Sequence, residues 1–236
     1  MNGYRNEYRP DAGLGGHVTP GIRALIIANV VVFILQYVAF RLGDNSIQSI
    51  FGLTPAMVFS AHLRVWQLFT YMFLHSPDYL FHLLLNMLML WMFGTQIEPV
   101  MGTRSFLRYY FLCGVGAGLT TSLASPNSLT VGASGAIFGV MLAYAMLFPN
   151  RQILFWFIFP MRAPSFVLLC AGIELFALMQ LPDGVAHAAH LGGMLFGYLY
   201  FKRAWRLREF LAEIRWRLRR RRFRVLDRDD RRYPFH

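Results

Sequence analysis

Six stretches of the chain are apolar for long enough to cross, or nearly cross, a bilayer: Ala24 to Phe40, Leu80 to Ile97, Phe106 to Leu123, Gly132 to Phe148, Ser165 to Leu181 and Val185 to Phe201. At about 1.5 Å of helix rise per residue each approaches the roughly 30 Å of a hydrocarbon core. Polar and charged residues gather between them. The connection from Gly43 to Tyr79 is too long for a bare loop and is rich in Phe, Leu and Val with Trp66, which predicts short helices at the membrane interface. After the last stretch, Leu207, Phe210, Leu211, Ile214 and Leu218 recur at helical spacing among arginines, the pattern of an amphipathic surface helix. Asp227 to His236 reads as disordered. The pattern predicts an all-α membrane protein with six transmembrane helices and a long, partly helical first outer loop. It divides into a cytoplasmic segment 1–23, a membrane domain 24–201 and a basic cytoplasmic tail 202–236.

Composition excludes a soluble reading: 56% of the 236 residues are hydrophobic and 15% charged, too apolar for one core to hide. Charge sets the orientation. Of the formal net +11, most lies from Lys202 onward, where 14 Lys and Arg face 5 Asp and Glu. Beside a membrane span such a tail sets topology and touches anionic lipid, and no nucleic-acid partner is expected. An even number of spans places both termini on the cytoplasmic side. Arg104, Arg108, Arg151 and Arg162 then fall in cytoplasmic turns, while the outer turns Ser125–Thr130 and Pro182–Gly184 hold no Lys or Arg. The long first connection, with Arg41 and Arg64, is the exception. Arg5, Arg9 and Asp11 lie in a Gly-rich start without the features of a signal peptide, so the first apolar stretch is expected to remain as a span. With no organelle-targeting segment evident, a bacterial inner membrane is the expected location. Cys113 and Cys170 sit inside apolar runs, which supports neither a disulfide nor a cysteine metal site.

Polar groups inside spans are costly, so candidate chemistry begins with them: His82 and Asn86, Ser134, Glu174, and His187 with His190. Counting from the charged cytoplasmic ends, Asn86 lies about 18 Å, Ser134 about 22 Å and His190 about 18 Å above that face. That shared level is roughly 10 Å below the outer surface, where hydrolysis would need a water-admitting recess.

Ser134, in Gly132-Ala133-Ser134-Gly135, falls in the first turn of a helix, where free amide N–H groups favour developing negative charge. A lone serine is a weak nucleophile and needs a base. His190 is the candidate. Gly193 and Gly197 lie on its helical face, and Gly135 and Gly139 form a matching pair, so the fourth and sixth helices can pack nearly backbone to backbone. His82 and Asn86, at i,i+4, share a face and can complete an oxyanion hole with the Ser134 amide. Taken singly, a serine among glycines is usually packing, and a membrane His or Asn is usually a helix-helix hydrogen-bond partner. Agreement in depth is what favours chemistry. No Asp or Glu is evidently placed behind His190, so a dyad is expected rather than a triad. Glu174 reaches the same level and is expected to be protonated and hydrogen-bonded between helices, although it stands where it can tune His190 or the water path. His187 and His190 lack a convincing third metal ligand, and no metal or organic cofactor is expected.

These residues resemble the motifs of the rhomboid proteases, in order: His82-x-x-x-Asn86, Gly132-Ala133-Ser134-Gly135 and Ala189-His190-x-x-Gly193-x-x-x-Gly197, with Gly94 and Glu98 after the second span. The resemblance runs from about Trp66 to Tyr200. It implies a six-helix rhomboid bundle and an intramembrane serine endopeptidase: Ser134 is acylated, His190 is the base, His82, Asn86 and the Ser134 amide stabilise the oxyanion, and Phe138 packs on the histidine. By the same resemblance the substrates are transmembrane proteins cleaved near the outer ends of their helices. Trp66-Gln67 stands where many relatives have Trp-Arg, which puts the anchoring of the first loop in question. The rival readings are a non-catalytic rhomboid-like protein that binds membrane clients and, more remotely, a transporter.

Overall fold

The computed structural model describes residues 17–59, 63–155, 158–179 and 186–220, the last from 204 onward as backbone alone. The expectations for the first 16 residues, for Pro182–Gly184 and for Asp227–His236 lie outside these, as do the side chains of Leu207, Phe210, Leu211, Ile214 and Leu218. The chain divides into two compact units, one ending at Leu199 and the other beginning at Tyr200.

Helices dominate. Among the described residues six have 14 residues or more: α1 (Pro20–Arg41), α5 (Leu80–Met101), α6 (Thr103–Ala124), α7 (Ser134–Leu147), α8 (Ala163–Leu178) and α9 (His187–Arg220). Each coincides with one of the predicted apolar stretches. α1 and α5 are long and apolar enough to cross a membrane, whereas α7 and α8, at 14 and 16 residues, are shorter apolar helices. α9 is longer than the predicted apolar stretch, its helical residues reaching Arg220. Arg, Leu and Glu are good helix formers, so nothing in that stretch stops it.

Between α1 and α5 the chain forms three short helices, α2 (Ser46–Phe51), α3 (Pro55–Val58) and α4 (Gln67–Thr70), followed by a 3-10 turn at Tyr71–Phe73. Gln67 is fully buried and ties this segment together: its Nε2 donates to the Ile50 carbonyl at 3.1 Å and its Oε1 accepts from the Thr54 amide at 3.1 Å. Trp66 Nε1 donates to the same Ile50 carbonyl at 3.0 Å, and Thr70 Oγ1 to that of Phe51 at 2.7 Å. Arg64 Nη1 adds a bond to the Ser49 carbonyl at 3.1 Å, so Gln67 anchors the segment from its own position with an arginine three residues before it, which answers the question raised by Trp66-Gln67.

The all-α expectation omitted one element. Gln152–Phe155 (β1) and Phe159–Arg162 (β2) pair antiparallel between α7 and α8, with Gln152 opposite Arg162 and Phe155 opposite Phe159. These strands are four residues each and uniformly apolar toward the turn, without the alternation that would have announced them.

α6 is the hub for α7. Its buried face carries Tyr109, Cys113, Gly114, Ala117 and Gly118, small or flat residues that admit neighbouring backbones. Tyr109 donates its hydroxyl to the Gly139 carbonyl at 2.6 Å, and a Cβ on Gly135 would meet the Ala117 methyl at 2.5 Å. Glu98 joins α5 to the start of α1, where its carboxylate accepts from the Gly21 and Ile22 amides at 2.8 and 3.0 Å and from the Thr19 and Thr103 hydroxyls. An anion is well placed on those free first-turn N–H groups. A side chain on Gly94 would collide with Ile22, so Gly94 lets α1 seat closely on α5. α1 buries Asn29 and Gln36 beside Ile22, Leu25 and Phe33, while Ile27, Ile34, Leu35 and Val38 face outward. That is the distribution expected where lipid is the solvent.

Candidate active site

Backbone pairing places the serine. Leu53 exchanges amide and carbonyl hydrogen bonds with Thr130 at 3.0 and 2.8 Å, and the Gly132 amide donates to the Tyr71 carbonyl at 3.0 Å. The chain then turns at Gly132, whose φ of +128° suits glycine, and enters α7 with Ser134 as its first residue. A Cβ on Gly132 would lie 2.9 Å from Nε2 of His82, so this glycine also opens the space into which the His82 imidazole projects.

His190 comes from the first turn of α9 and is buried. Its Nε2 lies 2.7 Å from Ser134 Oγ, and its ring stacks on Phe138, with centroids 4.3 Å apart and planes 5° from parallel. The helices that carry the pair touch through glycine: a Cβ on Gly193 would sit 1.8 Å from the Gly135 carbonyl oxygen, and one on Gly139 3.0 Å from that of Gly193. Gly197 departs from the expected α7 contact. A Cβ added to Gly197 would collide with the Tyr109 hydroxyl and press on Cys113 Sγ, both on α6.

His82 and Asn86 lie on α5, Asn86 buried, and together with Ser134 and His190 they line one cavity of about 890 Å³. Behind His82 stands His75, fully buried, with ring centroids 5.0 Å apart in an edge-on contact. Burial, reinforced by the neighbouring His82, pushes the His75 pKa down to about 3, so this ring is neutral at ordinary pH. Gln36 of α1 holds it from the other side, donating from Nε2 to the His75 carbonyl at 2.9 Å while its Oε1 accepts the His75 amide at 3.0 Å. Sequence reasoning passed over both His75 and Gln36. The signal was there in a glutamine near the end of an apolar run.

Glu174 is expected from the sequence to be protonated and hydrogen-bonded between helices, at a depth where it can tune His190, and the structure gives it two imidazole partners. Its Oε2 lies 2.6 Å from His187 Nδ1 and 3.0 Å from His190 Nδ1, so a carboxylate does stand behind the imidazole that faces Ser134. The His190 approach is off the N–H axis and is an electrostatic contact rather than a well-aligned hydrogen bond. The same three side chains supply the third metal ligand that the sequence did not offer, with their ligand atoms within 4.8 Å of one another. A tetrahedral ion with bonds of about 2.0–2.2 Å would hold such atoms about 3.3 Å apart. The 2.6 Å contact has instead the length of a hydrogen bond.

A nucleophile in contact with a base, at the positive end of a helix and beside polar α5 side chains, is an arrangement able to perform acyl transfer. Comparison with known proteins identifies the family. The Rhomboid domain family model matches residues 62–206, more than half of the chain. Over 134 residues, 53% of this chain and 38% of the relative, it is 37% identical to Rhomboid protein 1, mitochondrial, of Saccharomyces cerevisiae. Over 160 residues, 67% of this chain and 39% of the relative, it is 33% identical to RHOMBOID-like protein 1 of Arabidopsis thaliana. Over 119 residues, 50% of this chain and 44% of the relative, it is 30% identical to Rhomboid-like protease 3 of Toxoplasma gondii. The chain thus spans about two fifths of the length of the curated relatives it matches.

Proposed function

The chain belongs to the rhomboid family, and from that premise we propose that it is an intramembrane serine endopeptidase in which Ser134 is the nucleophile and His190 the general base. The observation that carries this reading is the 2.7 Å contact between Ser134 Oγ and His190 Nε2 at the first residue of α7. His190 takes the Ser134 proton at Nε2 as Oγ bonds to the scissile carbonyl carbon. The carbonyl oxygen, now negative, is held by the Ser134 amide, the Asn86 side-chain amide and the His82 imidazole. His190 then passes its proton to the leaving amine, and water releases the acyl group by the same steps in reverse order. Phe138, flat against the imidazole, limits the ring to the orientation that serves Ser134.

In this proposal the six long helices each span the bilayer, and the division into segments 1–23, 24–201 and 202–236 stands with both termini on the cytoplasmic side. The length of α7 supports a recessed site: 14 residues rise about 21 Å against a core of about 30 Å, leaving Ser134 roughly 10 Å below one surface. The substrates are transmembrane proteins. A regular helix keeps its carbonyls in hydrogen bonds, so local unwinding precedes attack. Mitochondrial names among the relatives weigh against the bacterial inner membrane expected from the sequence, and the proposed location is a multi-pass position in a membrane.

Purified protein is expected to cleave a generic transmembrane substrate, and Ser134→Ala and His190→Ala each to lower turnover by at least about 10³-fold. Equal turnover in wild type and both variants would contradict the dyad. Folded wild type without turnover would make the protein a non-catalytic binder of membrane clients.

A further inference from the structure

We propose that Glu174 acts as an ionised positioning residue for His190, so that α8 supplies a third member to the Ser134–His190 pair. This rests on the protease reading above and adds to it a residue that a dyad does not contain. The two nitrogens of one imidazole are divided: Nε2 lies 2.7 Å from Ser134 Oγ and Nδ1 lies 3.0 Å from Glu174 Oε2. A ring that is to accept a proton at Nε2 must carry its resting proton at Nδ1, which is the nitrogen facing the carboxylate. Nδ1 is itself shut off from solvent, and the Glu174 carboxylate is the negative group within reach of it among the described residues.

During attack the Ser134 proton passes to Nε2 while Oγ bonds to the carbonyl carbon and the carbonyl electron pair moves to oxygen. His190 becomes an imidazolium at membrane depth, where an uncompensated cation is costly. The Glu174 carboxylate offsets that charge without taking a proton. When the tetrahedral species collapses, Nε2 gives its proton to the leaving nitrogen and the pair returns to its starting state.

Glu174 is in turn held. His187, one turn before His190 on α9, places Nδ1 at 2.6 Å from the same Oε2 and thereby fixes the carboxylate against both rings. The titratable groups around His190 are Ser134 of α7, Glu174 and Cys170 of α8, His187 of α9 and His82 of α5 with His75 behind it, and Asp78 lines the same cavity. Of these, Glu174 is the carboxylate in direct contact. A purely structural role, bridging α8 to α9 through His187, would leave the chemistry of His190 untouched, and that difference is measurable.

The test compares wild type, Glu174→Gln and Glu174→Asp in proteoliposomes, reading kcat and KM for a transmembrane substrate and the rate of Ser134 labelling by a fluorophosphonate across pH. Glu174→Gln is expected to lower kcat and labelling about 10- to 10³-fold with KM within about twofold. Its acidic limb is expected to move to lower pH, because the variant lacks the negative charge that favours the protonated ring. Glu174→Asp keeps the charge on an arm one methylene shorter, and is expected to slow labelling while holding the wild-type limb. An unmoved limb in Glu174→Gln overturns the proposal. Should that variant not fold, full-rate labelling by Glu174→Asp overturns it equally. Wild type that neither turns over nor labels would instead refute the protease reading itself.

Discussion

Gly132 carries two constraints at once, a backbone at φ +128° and a neighbour, His82 Nε2, at 2.9 Å from where a Cβ would stand. Gly132→Ala therefore has to strain the turn, displace the imidazole or both, at about 1–3 kcal/mol. Ser134 labelling is expected to fall at least about tenfold, with a lower unfolding temperature in detergent. Labelling at the wild-type rate would mean that His82 is not part of the oxyanion site. The shared level of Ser134 and His190 was legible at this scale because depth and helical spacing depend only on counting, whereas the stacking of Phe138 was expected from the family resemblance alone. The partner of Glu174 was not legible. Counting gives height along a helix, whereas meeting His187 and His190 depends on how α8 is rotated about its axis, and an apolar sequence such as Val167 to Leu178 leaves that rotation open.

At the scale of elements, the site depends on a segment that contributes no proposed catalytic side chain. Leu53 pairs with Thr130 four residues before Ser134, and Gln67 ties α4 to the end of α2 and the start of α3. Gln67→Ala removes a buried side chain and leaves the Thr54 amide and the Ile50 carbonyl with fewer partners, a loss of about 1–3 kcal/mol. It is expected to lower the unfolding temperature and to reduce labelling less than Gly132→Ala does. No change in unfolding temperature would show that Trp66, Thr70 and Arg64 suffice to hold the segment. Apolar runs announced the long helices, since each needs little more than length. Their ends were less visible: α9 runs on through arginines that suit helix as well as tail, and the β1–β2 pairing lies in eight residues without periodicity.

Over the described residues, tyrosines, amides and imidazoles are buried together with Ile, Leu and Phe, and the outward groups of α1 and α8 are also largely Ile, Leu and Phe. Lipid supplies no driving force between such helices, so their association rests on close backbone approach at Gly135, Gly139 and Gly193 and on hydrogen bonds such as Tyr109 to Gly139. The same close approach brings Ser134 and His190 together, which makes the proposed active site a consequence of how α7 and α9 pack. The most direct test is a time course of fluorophosphonate labelling of wild type and His190→Ala, with the adduct located by mass spectrometry. A single adduct on Ser134 is expected in wild type, forming at least about 10³ times faster than in His190→Ala. An adduct on another residue, or equal rates in the two proteins, would contradict the proposed Ser134–His190 pair.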